Sequence, residues 1–387
     1  MEFKLSKDLE MLRDAVREFA AKKIAPNADA WDADHYLPYK EVMKPMGQLG
    51  FFGTVIPEEY GGEEMGWLAA MIVTEEIARA SSSLRVQVNM QTLGCAFTIY
   101  NYGSEELRKK YVEKLVKADY IGGFGITEPD AGSDVMALTS TAEDKGDHWL
   151  LNGSKTWISN APVADVLIYY AYTDKAAGSR GLSAFVLEPK NFNGVKTSGL
   201  EKMGSHSSPT GEVFCSDTRI PKENIIGKPG DGTKIVFSSL NQTRLSAAAG
   251  AVGLAQACLD VVTKYCNDRK QFGKPIGTFQ MNQDMVAQMV CEIEAARLLV
   301  YKAAWVKDQG QLNNGLDVAI AKYMAGEAVT KCANYAMRIL GAYGYSTEYP
   351  VARYYRDAPT YTMVEGSANI CKWIIAQDQL GIRKANR

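Results

Sequence analysis

The sequence carries almost no net charge: 43 Lys and Arg stand against 45 Asp and Glu, a formal balance of −2. No chain-wide field therefore draws it to DNA, RNA or an anionic membrane, and an anionic ligand must be met by local cations. Histidine is scarce. His35, His148 and His206 are the only three, and none has a Ser, Cys or carboxylate at motif spacing, so they read as solvated or locally bonded imidazoles. The seven cysteines (Cys95, Cys215, Cys258, Cys266, Cys291, Cys332, Cys371) are odd in number, scattered and without a C-x-x-C pair. They read as reduced thiols, and no metal site is expected. No G-x-G-x-x-G opens a helix, and the phosphate-loop, G-x-S-x-G and H-E-x-x-H patterns are missing, which removes the Rossmann, P-loop, serine-hydrolase and zincin readings. The N-terminus lacks a basic start with an apolar run, and no stretch of 18 or more apolar residues is expected to span a membrane; the expected location is the cytoplasm.

What the sequence does contain is an ordinary globular composition, 46% hydrophobic and 23% charged, over 387 residues. That length divides into about two or three domains of ~150 residues. Leu5, Leu9, Leu12, Val16 and Phe19 recur at steps of three and four after Ser6, a helix signature with a cap. Similar periodicity continues to about residue 120, where Ser104 precedes the acidic pair Glu105 and Glu106. From about 121 alternating runs and turn pairs such as Asn152-Gly153 indicate strands, and after Gly232 long Ala- and Met-rich helical segments return. Helices, then strands, then helices without βαβ alternation argue for an α+β protein of three domains.

Four segments carry candidate chemistry. In GGFGITEPDAGSD, glycines let the backbone approach a bulky planar or anionic ligand while Thr127, Ser133 and Asp134 offer hydrogen bonds; a glycine-rich turn would look the same. About 30 residues on, KTWISNA sets Trp157, Ile158 and Ser159 where an indole could pack on that ligand. DRKQFGKPIGTFQ joins Arg269, Phe272 and Gln280, a guanidinium and an amide suited to a pyrophosphate and an adenine. MVEGSANICKW places Glu365 between Val364 and Gly366 near a helix start, a candidate base or a carboxylate complementing the helix dipole.

Together GITEPDAGSD, KTWISN, DRKQFGKPI, RILGAYGY and VEGSANI stand in the order and spacing of the acyl-CoA dehydrogenase family, which the chain resembles over essentially its whole length. The resemblance implies an N-terminal α-helical domain over 1–120, a middle β-barrel domain over 121–230 and a C-terminal four-helix bundle over 231–387. It implies FAD held by Phe124, Gly125, Ile126, Thr127, Ser133, Trp157, Ile158, Ser159, Ser367 and Asn369. Arg269, Phe272, Gln280, Arg338, Ile339, Leu340, Gly341 and Ala342 would serve the FAD of a neighbouring subunit, which makes an oligomer necessary, in this family a homotetramer. Glu365 is the implied catalytic base for the weakly acidic α-proton of an acyl-CoA thioester, its backbone N–H receiving the thioester oxygen. Arg85, Ser133, Arg244 and Gly366 are implied substrate contacts, and an electron-transfer flavoprotein the implied partner.

The acyl group is argued from Arg85. By resemblance to the glutaryl-CoA dehydrogenase branch it stands at the far end of the acyl pocket, where a buried guanidinium suits a second carboxylate and an aliphatic chain would leave it unpaired. A short or cyclic monocarboxylic acyl group is the alternative, with Arg85 in a surface salt bridge. The decarboxylating members of that branch resemble T-Y-E-G at the base, with a Glu seven residues before the Arg; Val364 and Ala78 stand at those positions here. Loss of both polar groups points to glutaconyl-CoA as product, with crotonyl-CoA plus CO2 as the alternative. An acyl-CoA oxidase, or a flavin- or CoA-binding relative without activity, are the readings from other classes.

Overall fold

Chain entry is set by a hydroxyl cap: the Leu9 N–H donates to Ser6 Oγ at 3.4 Å, Asp8 and Glu10 sit in the first turn, and Lys7–Phe19 is helical. Ser104 repeats the device for Glu105–Val116, accepting from the Leu107 N–H at 3.3 Å. The computed structural model describes residues 4–382; the outermost residues of the first and last expected domains lie outside it. Helices occupy the described chain to Val116, strands Gly122 to Ile226, and helices return from Gly232.

The strands are β1 Gly122–Gly125, β2 Thr141–Asp144, β3 His148–Ser159, β4 Val166–Tyr172, β5 Leu182–Leu187, β6 Val195–Gly199, β7 Thr210–Pro221 and β8 Ile225–Ile226. They form one sheet in the order β6-β7-β3-β2-β4-β5-β8, with β1 parallel to β4. Among the described residues no pairing joins β6 to β8, so the expected closed barrel is replaced by an open, branched sheet. Closure fails because β8 is only two residues long before the chain departs into a helix, and because β1 and β2 divide one edge of β4 between them.

Alternation decides which core each strand residue joins. Ile168, Tyr170 and Tyr172 of β4 face the large core shared with the helices, whereas Leu167, Tyr169 and Ala171 face a second core on the other side of the sheet. The C-terminal region has four long helices, Gly232–Asp268, Gln280–Asp308, Gly315–Leu340 and Ala368–Leu380. The first, as expected, holds no unbroken run of 18 apolar residues. By length and composition it is apolar enough to cross a membrane, but 78% of that window is buried inside the protein, where its Ala-Gly stretch packs against Trp67–Ala80 and Gly315–Leu340. Small residues let these helices approach closely, so hydropathy here reports a core helix.

Candidate active site

Glu365 sits in a tight turn between the short helix Thr360–Met363 and the helix Ala368–Leu380. It has φ 56° and Gly366 has φ 91°, two successive residues in the left-handed region. For a glutamate this costs on the order of 1–3 kcal/mol and persists only where the surroundings enforce it. They do. Arg244 Nε donates to the Glu365 carbonyl at 2.7 Å, and the buried Lys322 ammonium donates to the Tyr361 carbonyl at 2.6 Å and the Gly366 carbonyl at 3.4 Å. A Cβ at Gly366 would stand 2.8 Å from Arg244 Nη2, so glycine is required twice over, for φ and for space. Ser367 caps the following helix, accepting from the Ile370 N–H at 3.3 Å. Glu365 thus precedes the helix by three residues rather than opening it.

The Glu365 carboxylate is held from two other elements. Asn89 Nδ2 donates to Oε1 at 3.1 Å and Thr243 Oγ1 to Oε2 at 2.5 Å. Its backbone N–H has no acceptor among the described residues and is free for a ligand oxygen. Burial lowers the basicity of two neighbouring cations: Lys322 is pushed down to about 8, and Arg244 below its ordinary value.

Arg85 lies one turn before Asn89, in the helix Ser82–Val88, and is 3% exposed. Its Nε has no hydrogen-bond partner, no carboxylate among the described residues reaches it, and its guanidinium lies over the Tyr361 ring, 4.9 Å from the ring centroid, with Gly250 packed against its stem. Ser82 Oγ and the Tyr361 hydroxyl hold each other at 2.9 Å. The surface salt bridge considered for Arg85 is thereby excluded. A buried cation without an anion is costly unless a ligand supplies one.

The two glycine- and tryptophan-bearing segments do meet. The Thr156 N–H donates to the Thr127 carbonyl at 2.9 Å, and a register shift between Lys155 and Ile158 turns Trp157 out with φ 60° and 59% exposure. Ser133 is exposed nearby in sequence, on the loop after β1. Phe124, Ile126 and Ile158 are core residues, Phe124 packing edge-on against Tyr170 at 5.5 Å, so for a cofactor they offer main chain rather than side chain. Gly125, Thr127 and Ser159 complete this wall. Residues Gln87 and Asn160 join it to the Arg85 helix through reciprocal amide bonds of 2.9 and 2.8 Å. An exposed indole beside open main chain fits a large planar cofactor. Ser367 and Asn369 lie at the Glu365 turn, Asn369 exposed.

The second expected set lies elsewhere. Arg269 ends the helix that carries Thr243, 26 residues later, which is roughly 39 Å along the axis. Phe272 and Gly273, both with positive φ, form the tip of a two-stranded hairpin, and Phe272 is 93% exposed. Arg269 stacks over Tyr343 at 5.5 Å beside a concavity of about 510 Å³, which brings it to the end of Gly315–Leu340. Arg338, Gly341, Ala342 and Gln280 are exposed there, while Ile339 and Leu340 go into the core. One chain therefore does not bring these residues to its own Glu365.

Sequence reading missed Asn89, Thr243, Lys322, Gln87 and Asn160. It also missed the Glu128–Lys155 pair, at 2.6 Å and almost fully buried, that anchors the loop carrying Ser133. Asn89 offered one signal, its place one helical turn from Arg85. All seven cysteines are free, and the three histidines have local partners, His206 Nε2 meeting the Lys202 carbonyl at 2.8 Å. Among the described residues no group of three or more His, Cys, Asp or Glu could hold a metal ion.

Models of the N-terminal, middle and C-terminal domains of acyl-CoA dehydrogenases match residues 6–119, 123–218 and 230–380. A glutaryl-CoA dehydrogenase of Desulfococcus multivorans is 77% identical over 100% of both chains. A solved glutaryl-CoA dehydrogenase in complex with glutaryl-CoA superposes with a TM-score of 0.98 at 77% identity, covering 100% of this chain and 98% of the other. A structure described as an electron-transferring flavoprotein of Acidaminococcus fermentans superposes with a TM-score of 0.96 at 38% identity, over 98% of this chain and 100% of the other. With a half-buried carboxylate presented on a strained turn, an exposed indole on the middle-domain wall and all three domains matched, the chain belongs to the acyl-CoA dehydrogenase family and is an FAD-dependent oxidoreductase acting on acyl-CoA thioesters.

Proposed function

We propose that the chain dehydrogenates glutaryl-CoA to glutaconyl-CoA without loss of CO2, works as a cytoplasmic homotetramer and passes its electrons to an electron-transfer flavoprotein. The observation that carries the substrate is Arg85, buried, one helical turn from a residue bonded to the base, and without any anion of its own. A terminal carboxylate supplies that anion in fork geometry, whereas a monocarboxylic acyl chain leaves the charge stranded. Similarity to a glutaryl-CoA dehydrogenase and its substrate complex supports the same reading.

Glu365 takes the α-proton, and the hydrogen bonds from Asn89 and Thr243 keep its carboxylate from swinging away. The free Glu365 N–H receives the thioester oxygen as enolate charge develops. Arg244 and Lys322 hold the turn so that base and N–H face one substrate. Bound FAD supplies the acceptor for the hydride leaving the β-carbon. Retention of the carboxylate is argued from Val364 and Ala78, which bring no proton-transferring group.

Turnover of glutaryl-CoA with an artificial electron acceptor, followed by mass spectrometry, tests this. A five-carbon unsaturated product with its carboxylate is expected, and Glu365→Gln should keep flavin while losing turnover. Crotonyl-CoA as the main product would overturn retention; no reaction with glutaryl-CoA would shift the substrate to a short or cyclic acyl-CoA.

A further inference from the structure

Along one face of the Gly232–Asp268 helix the two ends of the acyl site can be measured off. Thr243 bonds the Glu365 carboxylate, and two turns later Gly250 lies against Arg85, where a Cβ would stand 2.7 Å from Arg85 Nε and Cδ. Ser246 falls between them. At about 100° and 1.5 Å per residue it lies within roughly 60° of Thr243 and 40° of Gly250 around the helix, ~4.5 Å beyond Thr243 toward the guanidinium. Its hydroxyl is fully buried and has no partner. A buried helical serine ordinarily bonds back to the carbonyl four residues earlier, which Ser246 does not do. Arg85 Nε is buried and unpartnered in the same way. Two donors stranded on the same side of one helix share a missing acceptor.

We infer that Ser246 is a second recognition group for the far carboxylate of the acyl chain, its hydroxyl donating to one oxygen while Arg85 holds the anion. The inference rests on the glutaryl reading above. In a glutaryl thioester the terminal carboxyl carbon lies three C–C bonds from the α-carbon at which Glu365 acts, about 4 Å. That matches the rise from Thr243 to Ser246. A rotatable hydroxyl adds a charge-assisted hydrogen bond without a second buried cation. It also sharpens discrimination, because an apolar acyl chain then leaves two polar groups unsatisfied rather than one.

Ser246→Ala removes one oxygen inside an Ala-rich helix that favours alanine, so folding should be kept. Its kcat/KM for glutaryl-CoA should fall at least about tenfold, the effect of losing a hydrogen bond to a charged group. Butyryl-CoA turnover and flavin absorbance should be unchanged or improved, with Arg85→Met assayed alongside. Loss on glutaryl-CoA in both variants supports the assignment. If Arg85→Met loses glutaryl-CoA turnover and Ser246→Ala does not, Ser246 is no contact and the glutaryl reading stands. Equal losses on both substrates in Ser246→Ala would show that the hydroxyl only supports the helix, and a wild-type protein inert to glutaryl-CoA overturns both readings.

Discussion

Glu365 and Arg85 differ in how their charges are treated. Glu365 is over-supplied with partners, two side-chain donors on its carboxylate and a guanidinium on its carbonyl; Arg85 has an aromatic ring over its guanidinium and, among the described residues, no anion. A charge left uncompensated in the folded protein is one whose removal costs little stability and whose loss is felt by a ligand. Arg85→Met should therefore leave folding and flavin content near wild type, lower glutaryl-CoA turnover by roughly a hundredfold or more, and spare butyryl-CoA. Steady-state kinetics on the two thioesters decide it; equal losses would make Arg85 structural. Glu365 was singled out in the sequence by its VEGSANI segment, Arg85 only by resemblance to the glutaryl-CoA dehydrogenase branch. Asn89 and Thr243 were not, because their partner lies 276 and 122 residues away and an amide or hydroxyl in a helix carries no motif of its own.

Strand β3 supplies the exposed Trp157 only because its neighbours pin it. Lys155, two residues earlier, points inward and pairs with Glu128, which also accepts from the backbone and hydroxyl of Thr139 and Ser140. Burial alone would push the Glu128 carboxyl up, but the Lys155 ammonium and those hydroxyls pull it down further, to about 2. A carboxyl below its ordinary 4.5 in the folded state adds stability that is full above pH 4.5 and is lost as pH falls toward 2. Glu128→Gln should abolish that acid-limb component and, by stranding Lys155, cost roughly 3–5 kcal/mol near neutral pH. Urea unfolding of both proteins at pH 7 and pH 3 measures it, and coincident curves at pH 7 would sink the claim. The strand was readable from alternation and its Asn-Gly pair; the bulge was not, since a register shift depends on the partner strand.

At the scale of the molecule the residues expected at flavin fall into two groups, and Arg269 of the second lies roughly 39 Å along one helix from Thr243, which bonds Glu365. Phe272 at 93% exposure and Met281 at 84% leave large apolar surface uncovered around the second group, as expected where another copy docks. The purified protein should sediment well above the 42.5 kDa of one chain, with about one FAD per chain. Arg269→Ala should lower both flavin retention and assembled mass. Unchanged FAD content and mass in that variant would show that Arg269 serves neither.

The order of helices, strands and helices and the segments that carry Glu365, Trp157 and Arg269 were determined by the sequence itself, because periodicity, turn chemistry and short motifs act over a few residues, whereas Arg85 was marked there only by resemblance. Whether the sheet closes was decided elsewhere. So were the outward turn of Trp157, the burial of Ile339 and Leu340 beside exposed Arg338, and the hydrogen bonds from Asn89 and Thr243 that fix the Glu365 carboxylate. Each of these depends on strand register or helix crossing between segments far apart in the chain. Local pattern can say that a helix forms but not which of its polar atoms will meet a partner, and Ser246 and Arg85 acquire their meaning from the partners that the fold leaves them without.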